Sequence, residues 1–227
     1  MNDTLYRLSL ELTIRAVSLP GLSPALGFAL RVLGRQHRLW IHLRALRFDG
    51  VIDGGANVGE FARLVRHALP AADLVCIEPH PPSAARLRSA GFRTLEAALW
   101  QERTRLSLSQ PDPATTSCTC IETQGPEHGR WEVEALPLSE VAIRGNRLLV
   151  KLDLQGAELP ALRGMGTLWD RTAALLLEMR IGPAGDRPAI EALLREKGYF
   201  SYATTNEILR NGIVVEADIL WVKEGVW

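Results

Sequence analysis

The feature that most constrains this chain is a short apolar strand followed by a glycine-rich turn and an amphipathic helix. Residues 51–61 read Val-Ile-Asp-Gly-Gly-Ala-Asn-Val-Gly-Glu-Phe, and apolar residues then recur at helical spacing as far as Leu69. This arrangement brings backbone N–H groups and a helix N-terminus against a ligand. The glycine spacing differs from the Gly-x-Gly-x-x-Gly of a dinucleotide site, and the acid Asp53 disfavours a pyrophosphate. The stretch therefore predicts a ligand with a cationic or amino group.

From residue 49 onwards the sequence alternates between strand and helix patterns. Apolar strands that alternate with helices predict an α/β fold with a doubly wound, mostly parallel sheet covered on both faces. The strands of this sheet are predicted near residues 50–53, 74–78, 93–98, 148–153, 173–178 and 199–203. The helices between them are predicted near residues 57–69, 83–90 and 187–197, with one more beginning at 156.

Three further segments complete the predicted domain. Residues 105–109 and 131–136 have the pattern of short antiparallel strands, and the Pro-, Gly-, Thr- and Ser-rich residues 110–130 between them predict a mobile loop. Residues 213–215 and 218–223 predict a terminal antiparallel hairpin. Together these patterns place one domain over residues 49–227.

Residues 1–48 precede the alternating pattern and predict a helical extension. Residues 35–47 mix arginines with leucines and a tryptophan, which leaves two interpretations open. In the first, the helices form a cap packed over the domain. In the second, they form a membrane-surface or dimerisation element, so that a homodimer would assemble through them.

Composition excludes several classes of protein. The 227 residues carry a net charge of +0, so no overall field recruits nucleic acid or an anionic membrane. The cysteines Cys76, Cys118 and Cys120 have the spacing of neither a disulfide framework nor a zinc site. The sequence shows neither a signal-peptide pattern nor an apolar run of about 18–20 residues that would span a membrane. We therefore expect a cytoplasmic protein that does not bind nucleic acid.

Four predicted strands end on or beside an acid. A single acid at such a position is readily explained as a cap on the following helix. Several carboxylates in one cleft are costly, however, and the carboxyl ends of parallel strands meet at one edge of the sheet. The pattern therefore predicts a ligand site formed by Asp53, Glu78, Asp153 and Glu178.

Three ordered stretches resemble the successive motifs of the FkbM-type methyltransferases, which are class I enzymes that use S-adenosylmethionine. They are residues 51–61, residues 77–81 (Ile-Glu-Pro-His-Pro) and residues 150–158 (Val-Lys-Leu-Asp-Leu-Gln-Gly-Ala-Glu). The resemblance runs from about residue 50 to the C-terminus and implies a Rossmann-like, seven-stranded sheet. It also implies an O-methyltransferase that acts on a hydroxyl of a sugar, a polyketide or another secondary metabolite.

The resemblance also implies which residues hold S-adenosylmethionine. Gly55 and Gly59 would let the backbone approach the methionine portion, and Asp53 would lie near its amino or sulfonium end. Glu78 would accept hydrogen bonds from both ribose hydroxyls, since two carboxylate oxygens match a vicinal diol. The full implied set is Asp53, Gly55, Asn57, Gly59, Glu78, Glu96, Ala97 and Asp153.

A methyl acceptor hydroxyl must lose its proton, and a carboxylate or histidine can take it. Asp153 is the preferred base, with Glu158, Glu178 and His80 as alternatives. Lys151 is expected either to pair with one of these acids or to act in catalysis.

One residue departs from the family pattern, because Gln155 stands where the family usually has Glu. The loss of a charge argues against a base or metal role at 155. The substitution leaves open that the protein is a degenerate, non-catalytic family member that serves as a binding scaffold. A separate alternative is an enzyme that methylates a nitrogen of a small molecule or protein. Carboxylates on one rim could hold Mg²⁺, but no compact ligand motif supports that metal and no ligand is assigned.

Overall fold

The computed structural model describes residues 39, 41–109, 119–120, 130–181 and 185–226. In chain order the strands are β1 (Gly50–Gly54), β2 (Asp73–Ile77), β3 (Thr94–Leu95), β4 (Ala98–Leu99), β5 (Thr104–Ser109), β6 (Thr119–Cys120), β7 (Arg130–Leu136), β8 (Leu148–Leu152), β9 (Thr172–Arg180), β10 (Tyr199–Arg210) and β11 (Ile213–Lys223). The helices are α1 (Glu60–Ala68), α2 (Pro81–Ser89), α3 (Glu158–Arg163), α4 (Leu168–Arg171) and α5 (Arg187–Glu196), with a 3₁₀ turn at Leu138–Glu140.

Seven of these strands form the main sheet, in the order β10-β11-β9-β8-β1-β2-β3. The strands β1, β2, β3, β8 and β9 pair in parallel, as expected for apolar strands joined by helical crossovers. Only β11 runs antiparallel to both of its neighbours among the described strands of this sheet. The predicted fold class, a doubly wound and mostly parallel seven-stranded sheet, is confirmed.

Helices cover both faces of this sheet. On one face Val65 of α1 packs into a cluster with Leu43, which lies in the helical residues 41–46. On the other face Leu162 of α3 and Leu194 of α5 pack into the larger cluster. The apolar residues that recur at helical spacing over residues 61–69 all belong to the first cluster: Phe61, Leu64, Val65, Ala68 and Leu69.

Of the predicted N-terminal extension, the structure describes residues 39 and 41–48. Leu39, Leu43 and Leu46 are buried in the cluster on one face of the sheet. The predictions for residues 1–38 and 40 lie outside the described residues, and the division of the chain at residues 48 and 49 stays a prediction. None of the described helices is long and apolar enough to cross a membrane.

The predicted C-terminal antiparallel hairpin is present, but its predicted bounds are wrong, because residues 213–223 supply only one of its two strands. Ile213–Lys223 is one continuous strand, β11, and its antiparallel partner is the long strand β10. The turn between them is Asn211-Gly212, and both residues have positive φ, at 52° and 78°. Two residues in this conformation match the twist of the flanking strands, which is why Asn-Gly favours two-residue hairpins.

The single strand predicted over residues 93–98 is also wrong, because two sheets share this segment. Thr94–Leu95 pairs with β2 in the main sheet, whereas Ala98–Leu99 pairs with β7 in a second sheet of order β4-β7-β5-β6. The short antiparallel strands predicted at 105–109 and 131–136 are confirmed, and the structure pairs them with each other as β5 and β7. Within the predicted loop, residues 110–118 and 121–129 lie outside the described residues.

Candidate active site

A cavity lies at the carboxyl ends of the parallel strands, where the sequence predicts the ligand site. It collects residues from the ends of β1, β2, β8 and β9, because these strand ends meet at one edge of the sheet. The predicted site residues that line this cavity, which we call the main cavity, are Gly55, Asn57, Glu78, Ala97, Asp153 and Glu178.

Glu78 is held in place by backbone N–H groups at the edge of the main cavity. Its Oε2 accepts a hydrogen bond from Asn57 N at 2.7 Å, and its Oε1 accepts one from His80 N at 2.9 Å. Burial raises the pKa of the Glu78 carboxyl above its ordinary value, and these two hydrogen bonds only partly offset the rise. A carboxylate oxygen has two acceptor positions, so each oxygen can accept one more hydrogen bond from a ligand.

The turn after β1 can be formed only with glycine at its tightest point. Gly55 has a φ of 70°, and a Cβ there would lie 1.9 Å from the carbonyl oxygen of Asp153. Asn57 also has positive φ, at 48°, and its Oδ1 is buried without a hydrogen-bond partner. The turn therefore brings the β1 and β8 strand ends into contact and leaves an amide oxygen for a hydrogen-bond donor.

Gly55→Ala is expected to destabilise the fold by about 2 kcal/mol more than Gly91→Ala. Gly91 is the matched control because its φ of 76° imposes similar strain on alanine while a Cβ there meets no atom within 4 Å. The difference isolates the collision with the Asp153 backbone. Urea unfolding of both variants measures it, and equal losses would show that the close contact does not limit this position.

Lys151 forms the centre of a buried ion-pair cluster. Its Nζ donates to the Gly55 carbonyl oxygen at 3.0 Å and lies 3.4 Å from Asp53 Oδ1 and 3.4 Å from Asp153 Oδ2. The expected pairing of Lys151 with an acid is thus confirmed for two acids. Burial lowers the pKa of the ammonium, but the two carboxylates more than reverse this and leave it above its ordinary value.

Asp53 is placed differently from the residues that line the main cavity. It is 0% exposed and pairs with Lys151 beneath the glycine turn. Burial raises the pKa of its carboxyl despite the lysine. The structure therefore puts Asp53 behind the cavity wall, and its contact with a cofactor stays a prediction.

Asp153 and Glu178 stand side by side because Leu152 and Leu177, the residues before them, are partners in the β8–β9 register. The side-chain amide of Gln155 donates to both, at 3.0 Å to Asp153 Oδ1 and 2.6 Å to Glu178 Oε2. Burial opposes ionisation of Asp153, but Lys151 and hydrogen bonds from Glu178 and Gln155 hold its pKa below the ordinary value. Burial and the neighbouring Asp153 charge raise the pKa of Glu178.

Glu158, which the sequence predicts as an alternative base, accepts hydrogen bonds from the backbone. Its Oε1 accepts from Leu154 N at 2.7 Å, and its Oε2 accepts from Gly156 N at 3.0 Å. It lines a neighbouring cavity next to Glu178 rather than the main cavity. Glu158 therefore holds the turn that carries Asp153 and Gln155.

His80 and Glu96 do not line the main cavity. His80 precedes α2, where its Nδ1 lies 2.9 Å from Ser83 Oγ and its ring packs edge-on against Trp131. Burial and then the Arg86 charge lower the pKa of His80. Glu96 forms a surface ion pair with Arg88 at 2.7 Å. Of the two implied cofactor residues in this segment, Glu96 and Ala97, Ala97 lines the main cavity together with Ala98 and Leu99.

Several apolar residues that line the main cavity were not predicted from the sequence. Leu108 reaches it from β5, and Leu154 and Ala157 come from the turn after β8. Leu108 gave no sequence signal because its place depends on how the second sheet packs against the first. Among the described residues there is no group of three or more His, Cys, Asp and Glu side chains able to hold a metal ion.

The model of the "Methyltransferase FkbM domain" family matches residues 53–201 of the chain. Among curated proteins, the methyltransferase sdnD of Sordaria araneosa is 26% identical, over 66% of this chain and 73% of that protein. Among solved structures, methyltransferase FkbM from Methylobacillus flagellatus KT aligns with a TM-score of 0.52 and 12% identity. That alignment covers 78% of this chain, which spans 44% of the length of the FkbM structure.

Proposed function

Because the chain belongs to the FkbM methyltransferase family, we propose that it transfers a methyl group from S-adenosylmethionine to a hydroxyl of a small molecule. The observation that supports the proposal is the pair of carboxylates that line the main cavity. The cavity is lined both by Glu78, a carboxylate suited to a diol, and by Asp153, a carboxylate held ionised beside a lysine. The proposed acceptors are sugars, polyketides and related secondary metabolites, the class that the family pattern suggests.

The residues of the main cavity fit S-adenosylmethionine. Glu78 can accept hydrogen bonds from the two ribose hydroxyls, and the unpartnered Oδ1 of Asn57 can accept one from an amino group. Positive φ at Gly55 exposes the backbone of the turn to the methionine portion. The apolar residues Ala97 and Leu99 can pack against the adenine.

When bound, S-adenosylmethionine supplies a methyl carbon on a positively charged sulfur. Asp153 can then accept the hydroxyl proton, because it lines the main cavity, its side chain is 35% exposed and its lowered pKa keeps the carboxylate unprotonated. A proton taken from the hydroxyl leaves an electron pair on the acceptor oxygen, which becomes the nucleophile. A positioned base of this kind contributes roughly 10²- to 10⁴-fold to a rate.

Glu78→Ala is expected to weaken S-adenosylmethionine binding about 100-fold. Two hydrogen bonds to a charged carboxylate contribute roughly 3 kcal/mol together, and each 1.4 kcal/mol corresponds to about a tenfold change in affinity. Isothermal titration calorimetry with S-adenosylmethionine and with S-adenosylhomocysteine measures the change.

Glu134→Ala is the control for this experiment, because Glu134 is an exposed carboxylate in an ion pair with Arg105 on the second sheet. It should bind the cofactor as the wild-type chain does. Since Glu78 also accepts from Asn57 N and His80 N, circular dichroism must show that Glu78→Ala is folded. A folded Glu78→Ala variant with wild-type affinity would contradict the placement of the ribose.

A further inference from the structure

Gln155 joins the two carboxylates at the end of the main cavity. Its Nε2 lies 3.0 Å from Asp153 Oδ1 and 2.6 Å from Glu178 Oε2, so one amide serves both acids. The other Asp153 oxygen, Oδ2, lies 3.4 Å from Lys151 Nζ. Both oxygens of Asp153 therefore face hydrogen-bond donors or positive charge, which favours its ionised form.

The residue that makes these contacts, Gln155, has a strained backbone conformation. Its φ is 54°, a left-handed conformation that is uncommon for residues other than Gly, Asn and Asp. Such conformations are costly and persist where the surrounding structure imposes them. Here Glu158 imposes it, because its carboxylate binds the N–H groups of Leu154 and Gly156 on either side.

The charges around this pair are mostly negative. Asp53 approaches from β1, Glu158 from α3, and Glu216 and Asp218 from β11, with Lys151 of β8 as the buried cation. Arg180 and Arg187 border the neighbouring cavity on the other side of Glu178, and Glu78 lines the far part of the main cavity. A second full negative charge next to Asp153 would be costly in this setting.

We propose that Gln155 is a positioning residue whose amide holds Asp153 and Glu178 side by side as a pair that carries one proton before the reaction, with Asp153 ionised and Glu178 protonated. This inference rests on the proposed function, since it assigns the state in which Asp153 receives a proton. The glutamate usual in the family at this position would instead bring a third carboxylate to the pair. In this chain the neutral amide of Gln155 therefore helps to keep Asp153 ionised.

The proton moves from the acceptor hydroxyl to Asp153. The O–H bond of the acceptor breaks, its electron pair stays on the acceptor oxygen, and a new O–H bond forms at the Asp153 carboxylate. Glu178 keeps its own proton throughout. The amide of Gln155 neither gains nor loses a proton, because it serves only as a donor to Asp153 Oδ1 and Glu178 Oε2.

Carbon-13 NMR of the labelled Asp and Glu carboxyls, titrated with pH in the full chain, tests the inference. In the wild-type chain Asp153 should titrate below its ordinary value of 3.8, and Glu178 well above its ordinary value of 4.5. In Gln155→Glu the midpoint of Asp153 should rise by about one unit or more, because a third carboxyl joins the pair. In Gln155→Leu it should rise as well, because the amide donor is lost.

Gln101→Glu and Gln101→Leu are the matched controls, since Gln101 is an exposed glutamine outside the main cavity. They should leave both midpoints unchanged. The inference is overturned if Asp153 and Glu178 titrate near their ordinary values in the wild-type chain, which requires no variant to fold. It is also overturned if both Gln155 variants leave the midpoints in place. Because the titration uses neither cofactor nor acceptor, its failure is distinct from a failure to bind S-adenosylmethionine.

Discussion

Asp153→Asn is expected to bind S-adenosylmethionine within about threefold of the wild-type affinity, yet to transfer methyl groups about 10²- to 10⁴-fold more slowly. Asparagine keeps the shape of the side chain and can still meet Gln155, but it cannot take up a proton at neutral pH. The effect should therefore fall on turnover rather than on binding, as expected for an interaction made in the transition state.

Turnover can be measured with methyl-labelled S-adenosylmethionine and a panel of hydroxylated sugars and polyketides, followed by the appearance of a methoxy carbon signal. Glu134→Gln is the control, because it exchanges an exposed acid outside the main cavity for its amide. A wild-type rate in Asp153→Asn would show that another group takes the proton. Label on a nitrogen would favour the N-methyltransferase alternative.

Lys151→Met should lower the free energy of unfolding by about 3–5 kcal/mol at pH 7.5. Methionine fills similar space, but it leaves the Asp53 carboxylate buried without its ion-pair partner. Lys197→Met is the matched control, since Lys197 is a surface lysine paired with Glu196. Exposed pairs of this kind contribute at most about 1 kcal/mol. Urea unfolding measures both.

The loss in Lys151→Met should also depend on pH, with a definite sign. The pKa of Asp53 is already raised by burial in the folded chain, and removal of the lysine raises it further. An acid with a raised folded-state pKa destabilises the fold as pH rises through that value. The destabilisation of Lys151→Met should therefore shrink as the pH falls towards 3.8, the ordinary pKa of an aspartate.

The double variant Asp53→Asn/Lys151→Met separates charge from packing. It removes the buried charge together with its partner, so it should recover at least about half of the stability lost in Lys151→Met. Equal stability of the single and double variants would show that lost packing of the lysine stem, and not the unpaired Asp53 charge, causes the effect.

The main sheet and the strand-end acids were predictable because they follow from local patterns. Alternating strands and helices require parallel neighbours, and parallel neighbours bring their carboxyl ends together. Of the four acids predicted to lie together, Glu78, Asp153 and Glu178 line the main cavity, whereas Asp53 is buried beneath the glycine turn. The Asn211-Gly212 turn was equally local, and its positive φ values show that the hairpin between β10 and β11 could have been predicted from that dipeptide.

What could not be predicted depends on contacts between distant residues. Nothing in the sequence shows that Lys151 enters the space beneath the glycine turn to meet Asp53. The ring of His80 is fixed by Trp131, fifty-one residues further on, and packs there rather than lining the main cavity. Glu158 resembles an active-site acid in sequence, yet its oxygens bind the backbone of the preceding turn.

The central claim is that this chain binds S-adenosylmethionine in the main cavity. Isothermal titration calorimetry of the full wild-type chain with S-adenosylmethionine tests it most directly. We expect saturable binding of about one molecule per chain with a dissociation constant in the micromolar range, roughly −8 kcal/mol in free energy. No detectable binding at millimolar cofactor would contradict the claim.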